Sequence, residues 1–168
     1  MTDMKTVCVL LSTYNGEKYL REQIESLLSQ IGVKIIIVAR DDGSHDDTIS
    51  ILAEYEKKIT YFHYLVGENV GPAQSFFMLM QQAPKADYYA FCDQDDVWDK
   101  DKLIIAVDML EKESPVTPNM YYSNLRIVDQ NLTFYRFSHE KPHIQKDRYC
   151  VLTENMATGC TYVLLEHY

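Results

Sequence analysis

The chain has 168 residues, 46% hydrophobic and 24% charged, with a formal net charge of −9 at pH 7. Those proportions fit one globular domain and exclude a disordered, collagen-like or coiled-coil chain. The acidic balance also excludes a broad nucleic-acid or anionic-membrane surface, which needs clustered Lys and Arg; an acidic domain can hold an anionic ligand only where something cationic intervenes.

The first apolar run, residues 6–12, is short and β-branched, as a strand buried on both faces of a parallel sheet should be. After the loop Thr13-Tyr14-Asn15-Gly16, the spacing of Leu20, Ile24, Leu27, Leu28 and Ile31 predicts an amphipathic helix that Gly32 stops. The unit then repeats: a strand at 34–39, a loop Arg40-Asp41-Asp42-Gly43-Ser44, and a helix at 46–58 with Asp46 or Asp47 as its N-cap. A third strand at 61–66 leads through Gly67-Glu68-Asn69-Val70-Gly71-Pro72 into a helix carrying Phe76, Phe77, Leu79 and Met80, with Pro72 suited to the first turn. A fourth strand at 87–92 delivers Asp93-Gln94-Asp95-Asp96, and a helix at 102–113 follows with Leu103, Ile104, Val107 and Leu110 on its apolar face. This alternation predicts an α/β fold: a mostly parallel sheet with helices on both sides, joined by right-handed crossovers.

Beyond Ser114-Pro115-Val116-Thr117-Pro118 the pattern changes. Strands are expected at 121–128 and 132–137, joined as a hairpin through Asp129-Gln130-Asn131, then a polar loop to Tyr149, an ambiguous stretch at 150–155 and a strand at 161–165. No apolar run approaches the roughly 20 residues that cross a bilayer. The opening Met1-Thr2-Asp3-Met4-Lys5 lacks the features of a secretion signal, so a cytoplasmic location is expected. Cys8, Cys92, Cys150 and Cys160 form no C-x-x-C pair and read as small buried hydrophobes.

Ligands of open α/β sheets bind outside the carboxyl ends of the strands, where the loops after the first, second and fourth strands converge. Those loops offer Ser12, Thr13, Tyr14, Asn15 and Glu17; Asp41 and Asp42; and Asp93, Asp95 and Asp96, so that five aspartates are expected at one rim. Asp93 and Asp95, two apart on an extended segment, can present carboxylates to one point. Such a pair repels itself and suits a hard divalent cation, Mg²⁺ or Mn²⁺, whose open positions ligand phosphates fill. The bland alternative is a solvated turn capped by Asp99 or Asp101, but it would have to sit between an apolar strand and Trp98. Tyr14 has an equally ordinary alternative in simple packing, and Asp41-Asp42-Gly43-Ser44 one in turn chemistry.

Four segments in order, Ser12-Thr13-Tyr14-Asn15-Gly16, Asp41-Asp42-Gly43-Ser44-His45-Asp46-Asp47-Thr48, Asn69-Val70-Gly71 and Phe91-Cys92-Asp93-Gln94-Asp95-Asp96-Val97-Trp98, resemble the motifs of inverting family 2 glycosyltransferases with the GT-A fold. With Thr158-Gly159-Cys160-Thr161 they are most similar to the bacterial rhamnosyltransferase-like branch that builds polysaccharides. The resemblance implies one glycosyltransferase domain, with a nucleotide-binding half at 1–113 and the start of an acceptor-side half at 119–168. It implies that Tyr14 lies against a pyrimidine base and that Asp42, with Asp41, accepts a hydrogen bond from it. Asp93 and Asp95 match the DXD pair that holds ribose and metal; Asp96, Asn124 and Gly159 are secondary contacts. The implied donor is a UDP- or dTDP-sugar and the implied acceptor a glycan or lipid-linked saccharide. Membrane association is then expected only through the acceptor or a segment outside this chain, at the inner face.

Inverting transfer needs a general base to take the acceptor's proton. In relatives that acid lies beyond the Gly-Cys segment, and neither Glu154 nor Glu166 fits its pattern, so the base is expected beyond Tyr168. A catalytically incomplete nucleotide-sugar-binding module is therefore a second class of reading. A phosphoacceptor receiver fits less well, because its acidic residues follow the first and third strands. A nucleotidyltransferase would need a Gly-rich basic loop that Ser12-Thr13-Tyr14-Asn15-Gly16 does not supply. His139-Glu140-Lys141-Pro142-His143 has the H-E-x-x-H zinc spacing, but Pro142 inside the required helix would cost roughly 3 kcal/mol.

Overall fold

The computed structural model describes residues 4–113, 119–129, 131–138 and 162–165. The expectations for residues 139–143, 150–155 and 158–161, including Gly159, and for Glu166 lie outside the described residues. The opening apolar run becomes the middle strand, β1 (Thr6–Thr13), with β2 (Lys34–Asp41) and β4 (Tyr88–Cys92) parallel on its two sides and β3 (Phe62–Val66) parallel beyond β2. β8 (Tyr162–Leu165) runs antiparallel beside β4, and β5 (Met120–Tyr122) antiparallel beside β8. The sheet order is β3-β2-β1-β4-β8-β5: mostly parallel with a mixed edge, as expected.

Alternating residues of β1 divide the core between the two faces. Val7, Val9 and Leu11 pack with Leu20, Ile24 and Leu27 of α1 (Leu20–Leu28), Leu52 of α2 (Thr48–Lys58), and Leu103 and Val107 of α4 (Lys102–Leu110). Cys8 and Leu10 pack on the opposite face with Val38 and with Leu79 of α3 (Pro72–Gln82). Each such fully buried aliphatic contributes about 1.5–3 kcal/mol. The first two βα units step outward from β1 to β3; α3 then crosses back to β4 on the other side of β1. The order thus reverses between β1 and β4, and the carboxyl ends of these two strands are where an open α/β sheet binds its ligands.

Several boundaries differ from expectation for local reasons. α1 ends at Leu28, so Ile31 stands outside it, half exposed, with its N–H donating to the Lys100 carbonyl. α4 ends at Leu110, short of residue 113. On α3 only Ser75 and Leu79 are buried; Phe76 meets Phe91 edge to face at 5.3 Å, while Phe77 and Met80 face outward. The strand expected at 121–128 is split. Its first part joins the main sheet as β5, and Arg126–Val128 forms β6, a hairpin with β7 (Phe134–Phe137). At the break the Asn124 carboxamide oxygen accepts from the Leu125 N–H (3.0 Å) and the Ser138 hydroxyl (2.6 Å), local bonds that compete with a ladder. In the hairpin turn the Asp129 carboxylate accepts from the N–H groups of Asn131 and Thr133, both at 2.9 Å, and Leu132 adopts φ 59°, which delays β7 to Phe134.

Candidate nucleotide and metal site

β2 ends at Asp41, Asp42 follows it, and both side chains turn inward. Asp41, fully buried, accepts from the Gly43 and Ser44 N–H groups (3.1 and 2.8 Å) and from the hydroxyls of Thr13 and Ser44 (3.1 and 2.6 Å). Gly43, at φ 81°, makes this turn possible. Asp42 lies against the Arg40 guanidinium at 2.5 Å and accepts from the N–H groups of Val70 and Gly71. Burial works against its charge, but Arg40 and the two amides outweigh burial and hold the carboxyl below the usual carboxylate range. Arg40 also donates to the Ser75 hydroxyl (3.1 Å) and the Glu68 carbonyl (3.0 Å). A side chain at Gly67 would strike the guanidinium, its Cβ falling 2.4 Å from Nη2. The five-aspartate rim expected from sequence is therefore reduced to the three aspartates after β4.

The loop after β1 is laced to the start of α2. The Asn15 N–H donates to the Ser44 hydroxyl (2.8 Å), and its side-chain oxygen accepts from the His45 N–H (2.9 Å). Glu17 accepts from the Asp47 N–H (2.9 Å) and its own N–H donates to Asp46 (3.1 Å); Asp47 holds the cap position of α2 without a side-chain capping bond, while Asp46, one residue earlier, accepts from the Thr48 N–H at 3.0 Å. Ser12 and Ser75 join their hydroxyls at 2.7 Å. The side chains of Ser12, Thr13, Asn15 and Glu17 are thus engaged between loops. The Tyr14 ring, by contrast, stands 43% exposed at the rim, so ordinary core packing does not account for it.

On the neighbouring strand, β4 ends at Cys92 and the acidic loop begins. Burial, and then the charges of Asp96 and Asp95, push the Asp93 carboxyl up to about 6. Trp98 anchors the far end of the loop: its side chain is buried, its backbone N–H donates to the Ser26 hydroxyl (3.1 Å), and the Lys102 ammonium lies 4.6 Å from the ring centroid. Asp101 stands at the cap position of α4 without a side-chain capping bond, and the exposed Asp99 pairs with Arg126. The three aspartates are a hard-oxygen donor set whose mutual repulsion a divalent cation would relieve. Among the described residues no three His, Cys, Asp or Glu side chains are so placed that together they could hold a metal ion.

The two loops are joined by Gln94, whose part was not read from the sequence. Its side-chain oxygen accepts from the Tyr14 N–H (2.7 Å), and its nitrogen donates to the Tyr14 carbonyl (2.9 Å). Arg40 and Ser75 were missed likewise; a lone arginine closing the apolar strand 34–39 was the available signal. Asn124 lies farther off, in a cavity of about 660 Å³ that Asp95 and Asp96 share with Trp98, Arg126, Phe134 and Phe137. Among the described residues no helix is long and apolar enough to cross a membrane.

A parallel sheet whose strand order reverses between β1 and β4, with an aromatic loop after one strand and an acidic loop after the other, is an α/β domain of the doubly wound kind, whose ligands bind at that point. Residues 8–164 match the family described as glycosyl transferase family 2, and the chain belongs to that family. The dTDP-rhamnosyl transferase RfbG of Shigella flexneri is 31% identical over 163 residues, covering 92% of this chain and 53% of the relative. Among solved structures, S. aureus TarS 1-349 in complex with UDP superposes with a TM-score of 0.57 at 29% identity, over 64% of this chain and 32% of that one. The mannosyltransferase PcManGT of Pyrobaculum calidifontis, in complex with GDP-Man and Mn²⁺, shares the fold with a TM-score of 0.58 at 22% identity, over 68% of this chain and 34% of that one. The fold is that of the GT-A glycosyltransferases. The chain spans about half the length of the curated relatives it matches.

Proposed function

We propose that this domain binds a UDP- or dTDP-sugar through Mg²⁺ or Mn²⁺ and transfers the sugar, with inversion, to a glycan or lipid-linked saccharide. The observation that carries this reading is the acidic loop at the reversal point of the sheet: three aspartates, with Asp93 raised by burial and its neighbours' charges, on a loop that Gln94 ties to the backbone of the exposed Tyr14. Asp93 and Asp95 would hold the cation, with Asp96 beside them. The cation supplies charge that offsets the acidic rim and stabilises a departing diphosphate. Tyr14 offers its exposed face to the base. Asp41 and Asp42 shape that pocket by fixing the loop after β2 and the amides of Val70 and Gly71. UDP in TarS and the dTDP-sugar named for RfbG support a pyrimidine donor, and Mn²⁺ in the mannosyltransferase shows a cation accommodated by this fold.

In this reading the acceptor would occupy the cavity beside Asp95 and Asp96. Its mixture of Phe134 and Phe137 faces with Asn124 and Ser123 suits a sugar ring, which has apolar faces and a polar edge. A cytoplasmic setting, at the inner face of the membrane when the acceptor is lipid-linked, belongs to the same reading. No general base is assigned. The test is to supply the protein with UDP- and dTDP-sugars, an acceptor saccharide and Mn²⁺, and to measure release of nucleoside diphosphate. Release that requires metal and is lost in Asp95→Ala supports transfer; metal-independent release overturns the proposed role of Asp93 and Asp95.

A further inference from the structure

Gln94 sits between Asp93 and Asp95, yet its side chain leaves the acidic loop and reaches the loop after β1. Its amide pairs with one peptide unit on each side of Tyr14 Cα, accepting from the Tyr14 N–H at 2.7 Å and donating to the Tyr14 carbonyl at 2.9 Å. Both bonds together fix which end of the amide faces which backbone group. The fit is close on the other side as well: a Cβ at Gly16 would fall 2.3 Å from the Gln94 side-chain oxygen and 2.6 Å from its carbonyl carbon. Gly16 is thus the one-residue space into which the amide lies. The remaining contacts of this loop run to α2 and the turn before it, through Ser44, Asp46 and Thr48. They hold the base of the loop, whereas Gln94 alone, among the hydrogen bonds described, ties Tyr14 to the acidic loop.

We propose that Gln94 is a positioning residue that couples the divalent-cation site at Asp93 and Asp95 to the orientation of Tyr14 against the base. This rests on the function proposed above and extends it from contacts to coupling. A cation that draws the carboxylates on either side of Gln94 to one point fixes the backbone from which the amide projects, and the amide passes that constraint to Tyr14. Coupling of this kind is reciprocal: metal tightens nucleotide, and nucleotide tightens metal by the same factor. Part of the effect of metal on nucleotide affinity then reaches the base side of the ligand and does not depend on phosphate. Uridine or thymidine, which have no phosphate to bridge to a cation, isolate that part.

The experiment measures binding of Mn²⁺ alone, of UDP and dTDP with and without Mn²⁺, and of uridine and thymidine with and without Mn²⁺. The proteins are the wild type, Gln94→Ala, Gly16→Ala and the double variant. The Tyr14 backbone groups lie in an exposed loop where water can replace the amide, so Gln94→Ala keeps the fold. Expected are an increase of about five- to tenfold in the UDP or dTDP dissociation constant for Gln94→Ala with Mn²⁺ present, within the usual range of coupling between sites, and a change under about twofold in the affinity for Mn²⁺ alone. The tightening of nucleoside by Mn²⁺ should be present in the wild type and lost in Gln94→Ala. Gly16→Ala, which displaces the amide, should reproduce the loss, and adding it to Gln94→Ala should do nothing further, because the group it collides with is gone. Wild-type nucleotide affinity in Gln94→Ala, nucleoside binding that ignores Mn²⁺ in the wild type, or additive losses in the double variant would each overturn the coupling while leaving the nucleotide site in place. Failure of the wild type to bind either diphosphate with Mn²⁺ removes the functional reading itself, and the coupling with it.

Discussion

Replacing Arg40 with methionine should strip the loop after β2 of its internal counter-charge. Both side chains of the Arg40–Asp42 pair are 5% exposed. Without the guanidinium Asp42 retains only the Val70 and Gly71 amides, and the Glu68 carbonyl loses its donor. Breaking one side of a buried ion pair costs about 3–5 kcal/mol, because the other charge stays buried and unmatched. For a domain of this size that lowers the thermal midpoint by roughly 6–20 °C, at ~2–4 °C per kcal/mol. The pH dependence has a definite sign. In the wild type the folded-state value of Asp42 is depressed, so its contribution is present above the unfolded carboxylate value and is lost as pH falls through the lower folded value. In Arg40→Met burial pushes Asp42 upward, and the variant takes up a proton that the wild type does not. The difference between the two proteins should therefore be largest near neutrality and narrow toward pH ~4, near the unfolded value of an aspartate. Urea unfolding followed by fluorescence of Trp98, the chain's one tryptophan, reads this directly. Adding Asp42→Asn to Arg40→Met should recover a large part of the loss. A loss below about 1 kcal/mol, within the range of a surface pair, or an equal loss at both pH values, would refute the account of how this loop is held.

On α3, Leu79→Ala should cost about 2–5 kcal/mol in urea unfolding, since its fully buried side chain is the main apolar contact of that helix with the sheet, whereas Phe77→Ser should stay within about 0.5 kcal/mol. Trp98→Ala should lower stability by about 3–5 kcal/mol and also weaken Mn²⁺ binding, because the buried ring anchors the acidic loop and the backbone N–H to Ser26, which the substitution keeps, does not replace it; Mn²⁺ titration at a temperature where the variant is folded checks the second effect. Phe134→Ala and Phe137→Ala should raise the acceptor KM several-fold while leaving calorimetric nucleotide affinity unchanged; a change in nucleotide affinity instead would remove the acceptor from that cavity.

The parallel half of the fold was legible because its signals are periodic. An uninterrupted apolar strand such as 6–12 has few other places to go than a sheet covered on both faces, and the spacing of Leu20, Ile24 and Leu27 matches the face that α1 buries. The C-terminal edge was less legible, since its strands are short and side chains decide where they break. Asn124 ends one strand by bonding its own neighbourhood, and Leu132 occupies a conformation that composition does not announce. Within the site, the sequence located the loops but not the direction of each carboxylate. Asp41 and Asp42 look like Asp93 and Asp95 in one dimension; what separates them is Arg40, Val70 and Gly71, which the fold brings to Asp42, and Thr13 and Ser44, which it brings to Asp41. Gln94 escaped for the same reason, because its partner lies 80 residues away.

Calorimetric titration of UDP and dTDP into the protein, with and without Mn²⁺ and repeated on Asp95→Ala, tests the metal-bridged nucleotide site most directly. The account predicts that a diphosphate binds only when Mn²⁺ is present and that Asp95→Ala loses this binding while remaining folded. Equal binding without metal, or unchanged binding by Asp95→Ala, would contradict it.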